Sequence, residues 1–265
     1  MKKIDPSDFH PELHRQVAAL TGDDPYLLTH IARYMHTLRH MPDLLELSTK
    51  PKVLEIGTSF IFAPVLLDHF GANSVDVTHF NPATIGTVQQ IPIPRDWKGR
   101  SLKAMNFDIE SQKLPVPDGS YDLVLCFEVI EHLELDPMFL VAELNRIIRP
   151  GGLLYLTTPN VTSGRNVYKI LNGYEPHFHM KYSKNRSYYR HNIEYGPHEL
   201  LAMMDSGGFA SRKFWTADNF EDTIKEMDAF LKKQNYPTNN RGDNMLYIGE
   251  RVDGVRDRYP EVVYE

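Results

Sequence analysis

Residues 114–133 read LPVPDGSYDLVLCFEVIEHL. Within them YDLVLCF (121–127) is almost continuously apolar at its centre, without the alternation of a strand wetted on one side. Such a strand has both faces covered, as inside a parallel sheet flanked by helices. Directly after it come two carboxylates and an imidazole, Glu128, Glu131 and His132. Upstream, KVLEIG (52–57) is another buried strand, APVLLDHF (63–70) a helix ended by Gly71, and NSVDVTHF (73–80) and SLKAMNF (101–107) are further strands. Downstream, Asp136 and Pro137 cap a helix carrying Phe139, Leu140, Leu144 and Ile147. Arg149-Pro150-Gly151-Gly152 breaks it, and LLYLTT (153–158) follows as a strand. A helix opened by Gly196-Pro197 and closed by Gly207-Gly208 leads to RKFWTA (212–217) and NMLYIGERV (244–252), with a helix around 219–234 between these two. Short apolar strands alternating with helices predict a seven-stranded, mostly parallel sheet with helices on both faces.

The first fifty residues differ. Asp24-Pro25 predicts a helix start, and Leu28, Ile31, Met35 and Leu38 recur at helical spacing until Met41-Pro42. Residues 1–50 therefore read as a helical extension, either a cap over a site or a layer packed on the core. Residues 51–265 form the α/β domain, with 161–196 as an insertion on the acceptor side after the fifth strand.

The 265 residues carry 29 Lys and Arg against 35 Asp and Glu, a net charge of −6, which disfavours a long nucleic-acid footprint built on phosphate contacts. The single Cys126 excludes an internal disulfide and a multi-cysteine metal site, and fits a reducing compartment, so the expected location is cytoplasmic. No apolar run long enough for a membrane span and no signal-peptide core is readable.

LEIGTSF (54–60) places an acid and a glycine at a strand-to-helix turn, where Gly57 lets the backbone approach a ligand and Glu55 can hold a cation or a water network. It is not G-x-G-x-x-G, so a pyrophosphate-binding dinucleotide site fits poorly. Asp76, near the end of the next strand, can accept hydrogen bonds from a ribose diol, and Asp108 in NFDIE can receive an adenine amino group. With VLEIG, LPVPDGSYDLVLCFEVIEHL and LNRIIRPGGLLYLTTPN (144–160), the chain from Val53 to Asn160 resembles the class I S-adenosylmethionine-dependent methyltransferases, in the broad ubiquinone/menaquinone-biosynthesis-like group. The resemblance implies a Rossmann-like fold binding S-adenosylmethionine. Glu55, Gly57 and Thr58 would line the methionine end, Asp76 the ribose, and Asp108 with Ile109 the adenine; Phe127 would join the cofactor wall. Ser59 stands where that family places a second glycine.

Glu128, Glu131 and His132 form E-x-x-E-H. On a helical turn, residues three and four apart share a face and can converge on one point. Oxygen-rich ligands with imidazole suit Mg²⁺ or Mn²⁺, and His191 in RHNIEYGPHEL (190–200) is the candidate fourth ligand. This set resembles the small-RNA 3′-terminal 2′-O-methyltransferases, whose two glutamates, adjacent histidine and downstream histidine in H-x-x-E-[WY] hold a divalent ion. Glu194-Tyr195 completes that segment here. His132, His191 and Glu128 are the candidate catalytic residues: a metal can acidify an acceptor hydroxyl, or a histidine can take its proton directly.

The stretch 166–195 carries Tyr174, His177, His179, Lys181, Tyr182, Lys184, Arg186, Tyr188, Tyr189 and Arg190, cations and rings suited to an anionic or sugar-containing acceptor. It also resembles methyltransferases of bacterial glycan biosynthesis, which points to O-methylation of a saccharide, nucleotide-sugar or glycan hydroxyl. RNA ribose, a catechol-type quinone precursor, and a catalytically inactive cofactor-binding interaction protein stay as alternatives; a nicotinamide dehydrogenase is the weakest.

Overall fold

The computed structural model describes residues 11–41, 48, 51–93, 99–177, 182, 184 and 189–265. Three short helices come first: α1 (Pro11–Thr21), α2 (Pro25–Thr29) and α3 (Ile31–Leu38). Asp24 caps α2 through its side chain, accepting from the amides of Tyr26 and Leu27. The single helix expected after Pro25 is thus two pieces that meet at His30, and Leu28, expected on the apolar stripe, is exposed.

The α/β part follows as β1 (Lys52–Ile56), α4 (Phe62–Asp68), β2 (Ser74–His79), β3 (Thr87–Pro92), β4 (Ser101–Asn106), β5 (Tyr121–Phe127), α5 (Pro137–Ile147) and β6 (Ile148–Pro159). It ends with α6 (Gly164–Leu171), α7 (Pro197–Ser206), β7 (Phe209–Ala217), α8 (Lys225–Lys233) and β8 (Asn244–Arg251). The strands lie in the order β3-β4-β2-β1-β5-β6-β8-β7. From β4 through β6 all neighbours are parallel, whereas β3, β8 and β7 pair antiparallel. The fold class is the expected one, with one strand more. β3 is an almost wholly exposed edge strand, so it lacks the apolar run by which the others are read.

Two apolar layers sandwich the sheet. On one face α1, α3 and α4 bury Leu13, Val17, Met35, Leu38 and Val65 against Val53, Val77 and Leu125. On the other, α5 and α7 bury Leu140, Leu144, Leu200 and Met204 against Leu54, Val124 and Leu154. Alternate residues of β1 and β5 go to opposite layers, which is why their sequences carry no polar alternation. The N-terminal helices are therefore part of the core on one side of the sheet. Among the described residues no helix is long and apolar enough to cross a membrane.

Candidate active site

A cavity of about 990 Å³ opens at the carboxyl ends of β1, β2, β4, β5 and β6 and is roofed by residues of α2 and α3. Open α/β sheets bind ligands at this edge because the strand-to-helix turns converge there with unsatisfied backbone groups.

The turn after β1 forms one wall. Gly57 has φ +68°, and a Cβ there would stand 2.9 Å from Val129 Cγ2, so glycine is required both by backbone conformation and by space. Its amide donates to Thr78 Oγ1 at 2.9 Å, and the Thr58 amide donates to the Thr78 carbonyl at 3.0 Å. Where a second glycine was expected, Ser59 gives its amide to Glu55 Oε1 at 3.2 Å, and the left-handed residue is Phe60, φ +61°. Glu55 Oε2 accepts the Ala63 amide at 3.2 Å. Burial pushes this carboxyl up to about 7, against the pull of those backbone amides. Glu55 ties the turn to the start of α4 while facing the cavity.

Asp108 and Ile109 also line the cavity. Asp108 is engaged locally, accepting from the Glu110 amide at 3.0 Å and the Ser111 hydroxyl at 2.7 Å, a side-chain turn that presents Ile109. Phe127 packs edge-on against Tyr155 and tilted against Phe62, with ring centroids 4.9 and 4.7 Å away, and reaches the cavity wall.

Asp76 does not reach it. It pairs with Leu54 in the middle of β2, accepts the Tyr121 hydroxyl at 2.8 Å and lies 3.5 Å from Lys103 Nζ. The strand runs three residues further than a strand-end acid at 76 requires, and His79 and Phe80 are what it brings to the cavity.

The histidines and carboxylates sort differently from the expectation. Glu131, His132 and His191 each offer a ligand atom within 4.8 Å of the others. Glu131 gives Oε2 to the Thr158 hydroxyl at 2.9 Å, while its buried Oε1 has no hydrogen-bond partner among the described residues. Burial, reinforced by the nearby Glu128 charge, pushes the Glu131 carboxyl well above the usual range. His132 Nδ1 lies 3.1 Å from the Arg190 carbonyl and His191 Nδ1 2.7 Å from Glu194 Oε1. Each acceptor holds the proton on Nδ1, so Nε2 is the nitrogen that can join the cluster. An orphaned carboxylate oxygen beside two oriented imidazoles fits a divalent cation.

Glu128 is not in that group. It has a left-handed backbone, φ +54°, and the following residues form only a 3₁₀ turn, Ile130–His132, so the i, i+3, i+4 stacking of an α-helix never arises. Its Oε1 accepts from the Thr157 hydroxyl at 2.6 Å and Asn244 Nδ2 at 2.8 Å, and Oε2 faces Arg33 across 3.4 Å. The two threonines of TTPN thus hold one glutamate each.

His191 is brought in by backbone pairing. The amides of Asn192 and Ile193 both donate to the Glu131 carbonyl, at 2.7 and 3.3 Å, and Asn192 Nδ2 donates to the His132 carbonyl at 2.8 Å. Asn160 bridges to Tyr195 next to β6. Of the acceptor-side residues expected between 166 and 195, His179, Lys181, Arg186 and Tyr188 lie outside the described residues. Tyr174, Tyr182 and Tyr189 are exposed, and Tyr189 lines the cavity.

Sequence reasoning missed Tyr26, His30, Arg33 and Phe220 in the wall. Only the Asp24-Pro25 helix start hinted that the first segment delivers polar side chains as well as a packing stripe.

The model of a methyltransferase domain family matches residues 27–213. A protein of Mycolicibacterium smegmatis named as a probable S-adenosylmethionine-dependent methyltransferase is 50% identical over 48 residues, 18% of each chain. The ubiquinone biosynthesis O-methyltransferase of Rickettsia typhi is 29% identical over 125 residues, 46% of this chain and 47% of that one. The matches thus span less than half the length of these curated relatives. Among solved structures, a SAM-dependent methyltransferase from Archaeoglobus fulgidus superposes with TM-score 0.53 at 14% identity, over 86% of this chain and 100% of that one. The PH0226 protein of Pyrococcus horikoshii gives 0.54 at 14% identity, over 91% and 98%. At such identities these structures speak to the fold alone. The family match covers the N-terminal helices from α2 as well as the sheet through most of β7, and the chain belongs to the methyltransferase domain family, in its class I Rossmann-type form.

Proposed function

We propose that the protein is an S-adenosylmethionine-dependent O-methyltransferase whose acceptor is a catechol-type ring with two adjacent oxygens, assisted by a divalent ion at Glu131, His132 and His191. The observation that carries this reading is that the cluster and the Gly57 turn open into one cavity, so a methyl donor and an oxygen-binding centre can meet there. The wall supports an aromatic acceptor: Tyr26, Tyr34, Phe62, Phe80, Phe127 and Phe220 all line it. The ubiquinone-biosynthesis relative supports the same class. This displaces the saccharide reading, which rests on insertion residues of which several lie outside the described part.

Transfer is an in-line displacement. The acceptor oxygen forms a bond to the methyl carbon as the carbon–sulfur bond breaks, and S-adenosylhomocysteine leaves with the electron pair on sulfur. An ion held by Glu131, His132 and His191 would lower the proton affinity of the attacking hydroxyl. Glu194 and the Arg190 carbonyl keep the two imidazoles in the tautomer that presents Nε2. Thr158 holds the Glu131 carboxylate from behind. In the metal-free variant of this reading, His191 Nε2 accepts the hydroxyl proton and Glu194 stabilises the resulting imidazolium.

The test is transfer of labelled methyl from S-adenosylmethionine to parallel pools of catechols, nucleotide sugars and small RNAs, with chelator and then with Mg²⁺ or Mn²⁺ restored. Label in the catechol pool that disappears on chelation and returns with metal is the expected result. Label confined to sugars or RNA overturns the acceptor assignment, and chelator-resistant label removes the ion and leaves His191 as base.

A further inference from the structure

We propose that His177 is a positioning residue for methyl transfer: it grips the second oxygen of the Glu194 carboxylate and so keeps the first on His191. The proposal rests on the function proposed above. Glu194 stands between two imidazoles. Its Oε1 lies 2.7 Å from His191 Nδ1, and its Oε2 lies 3.6 Å from His177 Nδ1. The Glu194 side chain is wholly buried. His177 Nδ1 is buried as well and has no hydrogen-bond partner among the described residues, whereas part of the ring is exposed. The ring therefore turns its Nδ1 edge to the carboxylate and its other edge outward. At 3.6 Å the contact is a few tenths of an ångström longer than a hydrogen bond, and a slight rotation of the ring closes it.

The fold brings these groups to one corner. Glu194 precedes Tyr195, whose backbone bridges to Asn160 at the end of β6 and accepts the Val161 amide at 3.1 Å. Helix α6 leaves from the same corner: the Ser163 side chain caps it, and Asn166 Nδ2 donates to the carbonyls of Asn160 and Val161, each at 3.1 Å. The chain turns back at Gly173, φ +78°, and Lys169 Nζ donates to the His177 carbonyl at 3.3 Å. The insertion thus departs along α6 and returns to the site at His177.

The terminal torsion of a glutamate is soft, with broad minima. A carboxylate fixed through one oxygen swings about that torsion, and His191 then loses the partner that holds its proton on Nδ1. An imidazole on the second oxygen removes this freedom. The group behind a metal-binding or proton-accepting histidine sets its orientation, and His177 acts one step further back, through Glu194.

The test is a double-mutant cycle with a rescue, made in the full chain: His177→Ala, His177→Asn, Glu194→Gln, and His177→Ala combined with Glu194→Gln. Transfer of labelled methyl to catechol is followed with Mn²⁺ present. His177→Ala is expected to lower kcat about tenfold, with KM for catechol and affinity for S-adenosylhomocysteine unchanged. His177→Asn recovers most of the loss, because its Nδ2 stands the same number of bonds from the backbone as an imidazole Nδ1. In the Glu194→Gln background His177→Ala adds little. No fall in kcat, a fall that Asn does not relieve, or one that multiplies with that of Glu194→Gln overturns the proposal. A melting midpoint close to that of the parent shows that the variants are folded.

A second measurement needs neither acceptor nor ion. Nuclear magnetic resonance of the histidine-labelled chain follows exchange of the His191 Nδ1 proton with water, expected to be slow in the parent and in His177→Asn and fast in His177→Ala. Equal exchange in all three overturns the proposal. Slow exchange in the parent that is lost only in His177→Ala, with no transfer to catechol by any form, upholds the grip on Glu194 and refutes the acceptor reading instead.

Discussion

His191 Nδ1 lies 2.7 Å from the buried carboxylate of Glu194, three residues along the chain. The pair is fastened to the neighbouring turn by two amides that share the Glu131 carbonyl, so the imidazole, its orienting carboxylate and the opposing Glu131 form one rigid unit. Every step assigned to the cluster depends on that arrangement.

Glu194→Gln keeps size and polarity but removes the charge that orients His191. Loss of a carboxylate behind a metal-binding or proton-accepting histidine costs about 10–100-fold in metal affinity or activity. The expected variant is folded, with unchanged binding of S-adenosylhomocysteine and methyl transfer reduced by that factor. Titration of Mn²⁺ by calorimetry, run beside the transfer assay, checks it, and unaltered transfer would show that the dyad is structural.

Glu55 makes stability depend on pH. Its folded carboxyl titrates at about 7, above the unfolded value of 4.5, so the native state holds the extra proton between those limits. Stability therefore falls as pH rises from about 4.5 to about 7 and levels off above it. Asp243, also buried and pushed up to about 7, adds a slope of the same sign. The difference between parent and Glu55→Gln isolates Glu55: denaturant midpoints measured from pH 5 to 8 converge or diverge with pH only if this carboxyl titrates in the window.

Asp76→Asn separates a structural acid from a cofactor ligand. The side chain holds Tyr121 and faces Lys103 away from the cavity, so the variant is expected to lose about 1–3 kcal/mol of stability through the buried Tyr121 hydroxyl. Cofactor affinity should stay within a factor of about three, below the roughly tenfold step that one charged hydrogen bond represents. A large loss of S-adenosylhomocysteine binding at unchanged stability would return Asp76 to the ribose.

Gly57→Ala places a Cβ 2.9 Å from Val129 Cγ2 on a backbone at φ +68°. The left-handed conformation alone costs a non-glycine residue about 1–2 kcal/mol. The turn is expected to shift rather than the core, so cofactor affinity should fall more than the melting midpoint. Gly57→Ala combined with Val129→Ala relieves the contact but not the backbone strain, and should restore binding only in part.

The strands of the parallel centre, the helix over Pro137–Ile147 and the Gly57 turn could be read directly from residues, because burial on both faces, capping side chains and forced backbone angles are local demands written in local composition. Glu131, His132 and His191 could be nominated in the same way, since carboxylate and imidazole chemistry travels with residue type. Their meeting could not be derived from spacing. It depends on the amides of Asn192 and Ile193 both donating to the Glu131 carbonyl, between segments about sixty positions apart. The departure of Glu128 is equally nonlocal, because Thr157, Asn244 and Arg33 arrive from three other elements and outcompete the helical geometry that E-x-x-E-H suggests. Asp76 was misplaced for a simpler reason: strand type was legible, but where the strand ends was not, and three residues decide whether a side chain meets the cavity or Tyr121. Arg33 shows the limit most clearly. Sequence periodicity identifies which residues of α3 are apolar, while the neighbour that a polar residue meets is chosen by the packing of that helix on the sheet, where long-range apolar contacts set the angle and the buried charge must follow.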